Sequence, residues 1–517
     1  MSTKTAKPAP PDIGALGMLR WAWRQLTTMR TALILLLVLA LASIPGSLLP
    51  QRIQDPAQVT QYIEDNPRIG PFLDAVQLFD VYASVWFAAI YILLMVSLVG
   101  CVLPRSKQHY KAMRQAPPPA PRRLSRMPGY QAFTASGTAE DMLTAAEARL
   151  KKLGYRTIRR GDAVSAERGY LRETGNLLFH ICLLGVTVTM AVGALIGYSG
   201  QRILVEGETF TNSLVAYDSF EPGSYFSADR LDDYRLRLNS FDASFDDTAA
   251  GNQFGQPRAF NADVTTIQHG QDTDHSLRVN EPIRIDGSRV YLTGNGYAPV
   301  ITVRDGDGNV TYSGPVVFLP QDGVYTSRGV VKVPDASPDQ LGFVGILLPT
   351  ASQNEKGELV SQFAELRNPY LVMNVFAGDL GLDAGIAQSV YELDTDNLDQ
   401  LAGPDGQPLQ LYLKPGETAE LPDGLGSVEL EEIKRYVALD IRHDPTQGIM
   451  LGFTIFLLAG LGLSLFVPRR RMWVRAADTG DGVATEVASL ARGEDPRVVQ
   501  AAESLAVELN NSPSRKA

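Results

Sequence analysis

Cysteine is almost absent from this chain, which has two, Cys101 and Cys182, among 517 residues. Both lie in apolar stretches, and neither belongs to a Cys-x-x-Cys pair, a Cys-x-x-Cys-His segment or a set with the spacing of zinc ligands. The sequence therefore excludes a disulfide framework, a dithiol oxidoreductase, a c-type cytochrome and a structural zinc site.

Several catalytic signatures are also missing. The chain has no Gly-x-x-x-x-Gly-Lys phosphate loop, no Gly-x-Ser-x-Gly elbow and no His-Glu-x-x-His motif. Ordinary ATPase, hydrolase and zinc-protease functions therefore have no support. The net charge is −10, and no soluble face is strongly basic, which argues against a nucleic-acid partner.

Long apolar runs are what the sequence does contain. Four of them are long enough to cross the hydrocarbon core of a bilayer as helices, and they cover residues 31–49, 82–103, 175–198 and 449–467. The mean hydropathy of −0.05 hides them, because polar regions cancel them in the average. For the first run a cleaved signal peptide is the alternative, but its length and its Pro45-Gly46 end favour an uncleaved span.

The distribution of basic residues predicts the orientation in a bacterial-type plasma membrane. The segment between the second and third runs carries about fifteen Lys and Arg, so the positive-inside rule places it in the cytoplasm. Both termini then lie in the cytoplasm. The predicted parts outside the spans are a cytoplasmic N-terminus (1–30), a short outer loop (50–81), a cytoplasmic basic linker with an α/β module (104–174), an outer β-rich domain (199–448) and a cytoplasmic tail (468–517).

Two soluble parts have a readable pattern. In the basic linker, a strand is followed by a helix that Thr138 caps and Gly154 closes, and then by a hairpin around Gly161-Asp162, which predicts a small α/β module. In the outer region, short alternating runs separated by Asp-Gly and Gly-Asn turns predict mostly antiparallel β structure, as a sandwich or a distorted barrel.

The tail from Ala476 onward is polar apart from one amphipathic piece near Pro496 to Leu509, and we predict that it is mobile. The fold class expected for the whole chain is an integral membrane protein. It has four transmembrane helices, a large, mostly antiparallel β extracytoplasmic domain and a small cytoplasmic α/β module.

His180 is the ionisable residue that stands out within the third apolar run. Helical spacing places it on one side with Thr187, Ala191 and Tyr198, and Gly193 and Gly197 on this run are spaced for close helix packing. An imidazole in the hydrocarbon normally faces protein, a ligand or a metal. The spacing alone favours a hydrogen bond between helices and leaves open a haem or metal ligand and a proton relay.

The other histidines give weaker signals. His109, His269 and His275 lie in polar regions, and we expect them to be exposed. His443 precedes Asp444-Pro445 just before the fourth run, a pattern typical of the start of a helix.

Blocks of this sequence resemble the ResB (also called CcsB) family of system II cytochrome c biogenesis. They include TALILLLVLALASIPGSLLPQ, LFDVYASVWFAAIYILLMVSLVGCVLPR, RETGNLLFHICLLGVTVTMAVGALIG, VNEPIRIDGSRVYLTGNGYAP and ALDIRHDPTQGIMLGFTIFLLAGLGLSLFVPRRRMWV. The resemblance covers residues 20 to 475 or so, in order and spacing. The family's Asp-Pro-Gly before the last span is altered here to Asp444-Pro445 with Gly448 displaced.

The resemblance implies a subunit of a haem-delivery and cytochrome c synthetase complex that is not catalytic alone. Its partners would be a CcsA/ResC-type haem-handling membrane protein and apocytochrome c, with haem as a transient, shared cofactor. It also implies that His180 is a haem axial ligand, so the only metal this chain would hold is haem iron. Arg172 is a candidate contact for a haem propionate or, more simply, a lipid phosphate. A membrane-anchored sensor with an outer β ligand-binding domain is the alternative.

Overall fold

A computed structural model describes residues 14–54, 56–248, 255–382, 389–395, 397–403, 406–493 and 495–511. The chain forms two compact units. Unit 1 is Met1–Met190 together with Gly448–Ala517, and unit 2 is Ala191–Gln447.

Helices occur mainly in unit 1. In chain order they are α1 (Ala15–Leu26), α2 (Met29–Leu48), α3 (Pro56–Asp65), α4 (Gly70–Ala75), α5 (Val85–Arg114), α6 (Ala139–Lys152), α7 (Leu171–Ile196), α8 (Gln447–Phe466) and α9 (Arg497–Asn510).

Strands occur in both units. In chain order they are β1 (Gln131–Ala135), β2 (Arg156–Arg160), β3 (Ala163–Arg168), β4 (Tyr198–Val205), β5 (Thr209–Thr211), β6 (Ser219–Pro222), β7 (Tyr234–Phe245), β8 (Pro257–Gln268), β9 (Gln271–Arg278), β10 (Ile283–Ile285), β11 (Ser288–Arg304), β12 (Val310–Pro315), β13 (Leu319–Pro320), β14 (Ser327–Val333), β15 (Leu341–Leu348), β16 (Ala351–Gln353), β17 (Leu359–Ser361), β18 (Tyr370–Gly378), β19 (Leu398–Gln400), β20 (Gln410–Leu413), β21 (Glu417–Glu420), β22 (Ser427–His443), β23 (Arg470–Thr479) and β24 (Gly482–Ala491).

The four long apolar helices α2, α5, α7 and α8 confirm the predicted number of spans. Each contains a window of mean hydropathy 2.1 to 2.5. The bounds of α5 and α7 differ most from the predicted spans: α5 begins at Val85 and α7 at Leu171, and their C-terminal ends also differ. Helix α5 continues to Arg114, because the Lys, Arg and Gln that follow Pro104 are good helix formers. Helix α7 ends at Ile196, and Tyr198 opens β4 instead of lying on the helix, because its backbone pairs with that of His443.

Close backbone contacts hold the apolar helices of unit 1 together. Ser97 on α5 donates a 2.5 Å hydrogen bond from Oγ to the carbonyl of Leu26 at the end of α1. A Cβ added at Gly175 on α7 would lie 2.6 Å from the carbonyl oxygen of Gly460 on α8. The glycines at the α7–α8 contact therefore allow the two backbones to meet.

The α/β module of unit 1 includes the tail, which corrects the prediction that the tail is mobile. The sheet order is β1-β24-β23-β3-β2, all antiparallel, so two of the three inner strands come from residues 470–491. Helices α6 and α9 bury Leu143, Leu150 and Leu505 against this sheet. Val483 and Val487 on β24 supply the apolar face that matches them, a short pattern that looks polar when read without its partner strands.

Within the module, two local predictions are confirmed. Thr138 caps α6 by accepting a 3.2 Å hydrogen bond from the N–H of Asp141. Gly161 has a positive φ of 57° in the turn between β2 and β3, a conformation that glycine adopts without strain.

Unit 2 is mostly antiparallel β in the part that the structure describes, as predicted; one isolated bridge, Thr350↔Asn368, is parallel. The long strands β11 and β22 pair along their whole length, from Ser288↔His443 to Arg304↔Ser427. One half of this ribbon packs with the six-stranded sheet β13-β14-β15-β18-β19, on which β20 also pairs. The other half packs with the four-stranded sheet β5-β7-β8-β9. Unit 2 therefore has two hydrophobic cores along one shared ribbon.

Candidate functional site

His180 lies on α7, one helical turn after Asn176, and its ring is held by its own helix. The distance from Nδ1 to the carbonyl oxygen of Asn176 is 2.7 Å. A carbonyl only accepts, so Nδ1 carries the proton and donates. In the neutral ring this leaves the lone pair on Nε2, the nitrogen that binds metals when the other is fixed by a hydrogen bond.

The ring of His180 faces an apolar cleft of about 430 Å³ between α2, α5 and α7. This volume is in the range of about 300–1,000 Å³ typical of small-molecule sites. This space is called the apolar cleft below, and it is lined by Met29, Ala32, Leu33, Leu36, Leu94, Met95, Leu98, Cys101, Val102, Arg105, Asn176, Leu177, Phe179, His180 and Leu183. Apart from its polar end at Arg105 and Asn176, the cleft offers an imidazole in a hydrocarbon setting.

Next to the apolar cleft lies a second, polar cavity of about 690 Å³. Its lining, here called the basic cavity, is Arg105, Gln108, His109, Ala112, Arg172, Glu173, Asn176, Leu177, Ser464, Arg469, Arg471, Arg492 and Gly493. Arg105, Asn176 and Leu177 line both spaces. One face of α5 therefore runs from the apolar cleft into the basic cavity.

Two carboxylates organise the guanidinium groups of the basic cavity. Glu167 is 3% exposed and lies 2.9 Å from Nε of both Arg469 and Arg471. Burial raises the pKa of Glu167, but the two guanidinium groups outweigh burial and hold the pKa below its usual range. Glu173 pairs with Arg469 at 2.7 Å and with Arg492. These pairs fix the side chains at the wall of the cavity.

His109 was predicted to be exposed, and that prediction is wrong. Its side chain is 7% exposed, and its Nε2 lies 2.8 Å from Thr174 Oγ1 on α7. Among the described residues its Nδ1 has no hydrogen-bond partner, although a carboxylate oxygen of Glu173 is 3.4 Å away. The signal that could have found it is the helical spacing of Arg105, Gln108, His109 and Ala112, which continues the face of α5 that lines the apolar cleft.

His443 belongs to unit 2 and has a different environment. Its ring stacks on Tyr198 at 5.3 Å between centroids and 5° between planes. Its Nδ1 lies 3.4 Å from Ser288 Oγ and 3.5 Å from a carboxylate oxygen of Asp232. Burial raises the pKa of Asp232. The predicted helix start holds: Asp444 accepts a 2.9 Å hydrogen bond from the N–H of Thr446, and α8 begins at Gln447.

The glycines Gly193 and Gly197 make a close approach, but to the turn before α8 and not to the side of another helix. A Cβ at Gly193 would lie 2.8 Å from Oδ1 of Asp444, and one at Gly197 would lie 2.6 Å from the carbonyl of His443. His269 is exposed in a turn, as predicted. His275 is half-buried, with its Nε2 3.1 Å from Thr266 Oγ1.

The residues around His180 suit a single bond from protein to haem iron better than a metal site whose ligands all come from protein. In the part of the chain that the structure describes, no three His, Cys, Asp or Glu side chains come together as a metal-binding group. Haem iron needs only one or two axial ligands from protein, since the porphyrin supplies the others. A single imidazole with a free nitrogen, in an apolar cleft with a basic end, matches an amphipathic porphyrin.

The fold and site define a class: a membrane protein with four long apolar helices, a large antiparallel β unit and a histidine-bearing cleft among its helices. The sequence model of the ResB-like family matches residues 29–503, and the chain belongs to this family. The resemblance found in the sequence is therefore confirmed.

Curated relatives bear the name cytochrome c biogenesis protein CcsB. The protein of Synechococcus sp. (strain CC9605) is 26% identical over 463 residues, which cover 88% of this chain and 90% of that protein. The proteins of Synechococcus sp. (strain WH7803) and Gloeobacter violaceus (strain ATCC 29082 / PCC 7421) are 29% and 28% identical, each over 52% of this chain. In these two matches the chain spans 58% and 55% of the relative's length.

Proposed function

We propose that this chain is a subunit of a membrane complex that carries haem outward and assembles cytochrome c. The observation that carries the proposal is His180 itself, which lines the apolar cleft and, among the described residues, forms a hydrogen bond only through Nδ1. His180 Nδ1 is committed to the carbonyl of Asn176 at 2.7 Å, so the ring orientation and the proton position both suit ligation through Nε2. The name of the relatives, cytochrome c biogenesis protein, supports the choice of haem as cargo.

The proposed roles of the residues follow from their positions. His180 binds the iron from one side, and Phe179, whose ring meets the imidazole edge-on at 5.0 Å, limits rotation of the imidazole. Leu33, Leu98 and Leu183 give the cleft an apolar wall against which the porphyrin would pack. Haem when bound supplies the vinyl groups for attachment to apocytochrome thiols, and no residue of this chain takes part in that bond formation.

The complex needs a second membrane protein. The apolar cleft is open, and Met29, Leu33 and Leu36 beside it are 53% to 60% exposed on α2. We propose that a CcsA/ResC-type haem-handling protein covers this side and contributes the second axial ligand. The basic module would lie in the cytoplasm, with both termini, and unit 2 would lie outside and receive apocytochrome c.

The experiment is a visible spectrum of the chain co-purified with its haem-handling partner. We expect haem in the wild type, at least a tenfold loss of bound haem in His180→Ala, and wild-type haem content in the matched control His443→Ala. Unchanged haem content and band positions in His180→Ala would remove the ligand role. The absence of haem from every preparation would favour the membrane-anchored sensor.

A further inference from the structure

The basic cavity holds more positive charge than its own carboxylates neutralise. Five arginines line it, and the carboxylates in contact with them are Glu173 at the wall and Glu167 behind it. Five guanidinium groups against two carboxylates leave a surplus of three positive charges. A surplus of this kind attracts anions, since guanidinium groups recognise carboxylates and phosphates through paired hydrogen bonds.

A second observation points to a ligand and is independent of the charge count. The Nδ1 atom of His109 is buried at the wall of the cavity and makes no hydrogen bond within the described part of the chain. A buried polar atom without a partner loses the hydrogen bonds it makes to water and gains none, so such atoms usually meet a bound group or water. The side chain itself is 7% exposed and is held in place by Thr174.

The position of the cavity favours one anion. It shares Arg105, Asn176 and Leu177 with the apolar cleft. Along α7, Arg172 precedes His180 by eight residues, which is about 12 Å at 1.5 Å per residue. The propionate arms of a haem bound at His180, together with the length of an arginine side chain, bridge this interval. A phospholipid would also fill both spaces, with its headgroup in the cavity and its acyl chains in the cleft, but it offers no partner to the imidazole of His180.

We infer that the basic cavity binds the two propionate carboxylates of the haem whose iron His180 holds, with Arg105 and Arg172 as the principal contacts; this rests on the proposed function. Arg105 and Arg172 have no carboxylate partner among the described residues. Arg105 donates from one Nη to Met29 Sδ, and Arg172 donates from one Nη to the carbonyl of Arg492, which leaves their other N–H groups for an incoming anion. Arg469 and Arg471 are held by Glu167 and shape the wall. The cavity thereby orients haem, with its acidic edge toward the module and its iron in the apolar cleft.

The test compares ferric haem with haem dimethyl ester, in which both propionates are uncharged. Each is titrated, by visible absorbance, into the complex of this chain with its haem-handling partner. We expect the wild type to bind haem at least about tenfold more tightly than the ester, since one charge-assisted hydrogen bond is worth about 1.5–3 kcal/mol. The double variant Arg105→Gln/Arg172→Gln should bind haem about tenfold or more weakly and lose the preference.

The matched control is Arg122→Gln/Arg123→Gln, which removes the same charge at two exposed positions outside the cavity. It should keep both affinities, and thermal unfolding should show all variants folded. Equal affinity for haem and ester in the wild type, with a His180-dependent spectrum, would overturn the inference and leave the proposed function standing. Absence of binding of either compound would overturn both.

A lipid in the cavity is a separate outcome of the same titration. Added phosphatidylglycerol would then weaken haem and ester binding equally in the wild type and would have no effect in Arg105→Gln/Arg172→Gln. That result would also overturn the inference. A preference for haem over ester that persists in His180→Ala, at lower affinity for both, would support it.

Discussion

The two histidines near membrane helices, His180 in unit 1 and His443 in unit 2, differ in what the protein provides around them. His443 has an aromatic ring stacked on one face and polar atoms of Ser288 and Asp232 at Nδ1. Within the described part of the chain, His180 has one hydrogen bond, from Nδ1 to its own helix, and the residue lines the apolar cleft. A ring surrounded by partners has a structural task, and a ring with an unused nitrogen facing a cavity is a candidate ligand.

The charged groups near the two histidines also differ. Near His180, the charges are guanidinium groups in excess, gathered around buried Glu167. Near His443, the charge is the carboxylate of Asp232, whose pKa burial raises. The charged groups beside the apolar cleft are therefore arginines held by Glu167 and Glu173, whereas His443 has one carboxylate among the described residues, that of Asp232, within 3.5 Å of its Nδ1.

The largest effect is expected at Glu167. The change Glu167→Gln leaves Arg469, which is 6% exposed, without one of its charge partners, and loss of a buried partner costs about 3–5 kcal/mol. Hydrogen exchange of β3 and β23 in the full chain would measure this loss. The control is Glu140→Gln, since Glu140 is 72% exposed and pairs with Arg159 at the surface, where solvent screens the pair and it contributes little to stability. Equal effects of the two changes would contradict the account.

The packing behind His180 should give the next largest effect. In Gly460→Ala, the new Cβ would lie 2.7 Å from the N of Phe179, so the turn of α7 that carries His180 must shift, at a cost of about 1–3 kcal/mol. The control Gly462→Ala is on the same helix and meets nothing within 4 Å. The temperature of thermal unfolding and the haem content should both fall in Gly460→Ala and stay at the wild-type values in Gly462→Ala. A stable Gly460→Ala with normal haem would refute the close contact.

His443 tests the other side of the comparison. Removing the ring in His443→Ala loses the stack on Tyr198, and aromatic pairs contribute about 0.5–1.5 kcal/mol beyond burial. His443→Phe keeps a stacked ring and should recover most of the loss, measured by hydrogen exchange of β4 and β22. Haem content should stay normal in both. A reduced haem content in His443→Phe would show that the ring nitrogens of His443 are needed for haem binding.

The smallest effect concerns pH, and its sign differs between the units. The pKa of Glu167 is lower in the folded protein than in the unfolded chain, so ionised Glu167 stabilises unit 1 at pH values above the usual carboxyl pKa. This stabilisation is lost as the pH falls through the folded-state pKa. The raised pKa of Asp232 has the opposite sign: stability in unit 2 is greatest at low pH and falls as pH rises through the folded value. Asp232→Asn should remove this loss of stability with rising pH, which is about 1.4 kcal/mol for each unit by which folding raises the pKa.

Hydrogen exchange across pH 3 to about 7 checks both signs in one sample, since peptides of β3 and β7 report on the two units separately. Parallel loss of protection in both units at low pH would contradict the assignment for Asp232.

Local patterns predicted the spans, the cap at Thr138 and the alternation of unit 2, because each depends on neighbours in the sequence. The pairing of residues 470–491 with β1 and β3 was missed, since those strands lie some 300 residues earlier and Val483 and Val487 give little signal alone. His180 was found because a lone imidazole in an apolar run is conspicuous. The basic cavity was not, because its arginines come from three distant segments.

The most direct test of the central claim replaces the proposed ligand by one of another kind. In His180→Met, a thioether takes the place of the imidazole in the same apolar cleft, and a Met/His pair raises the reduction potential of haem. The account predicts a higher midpoint potential and shifted visible bands for the complex purified with its partner. A potential and a spectrum identical to those of the wild type would contradict it.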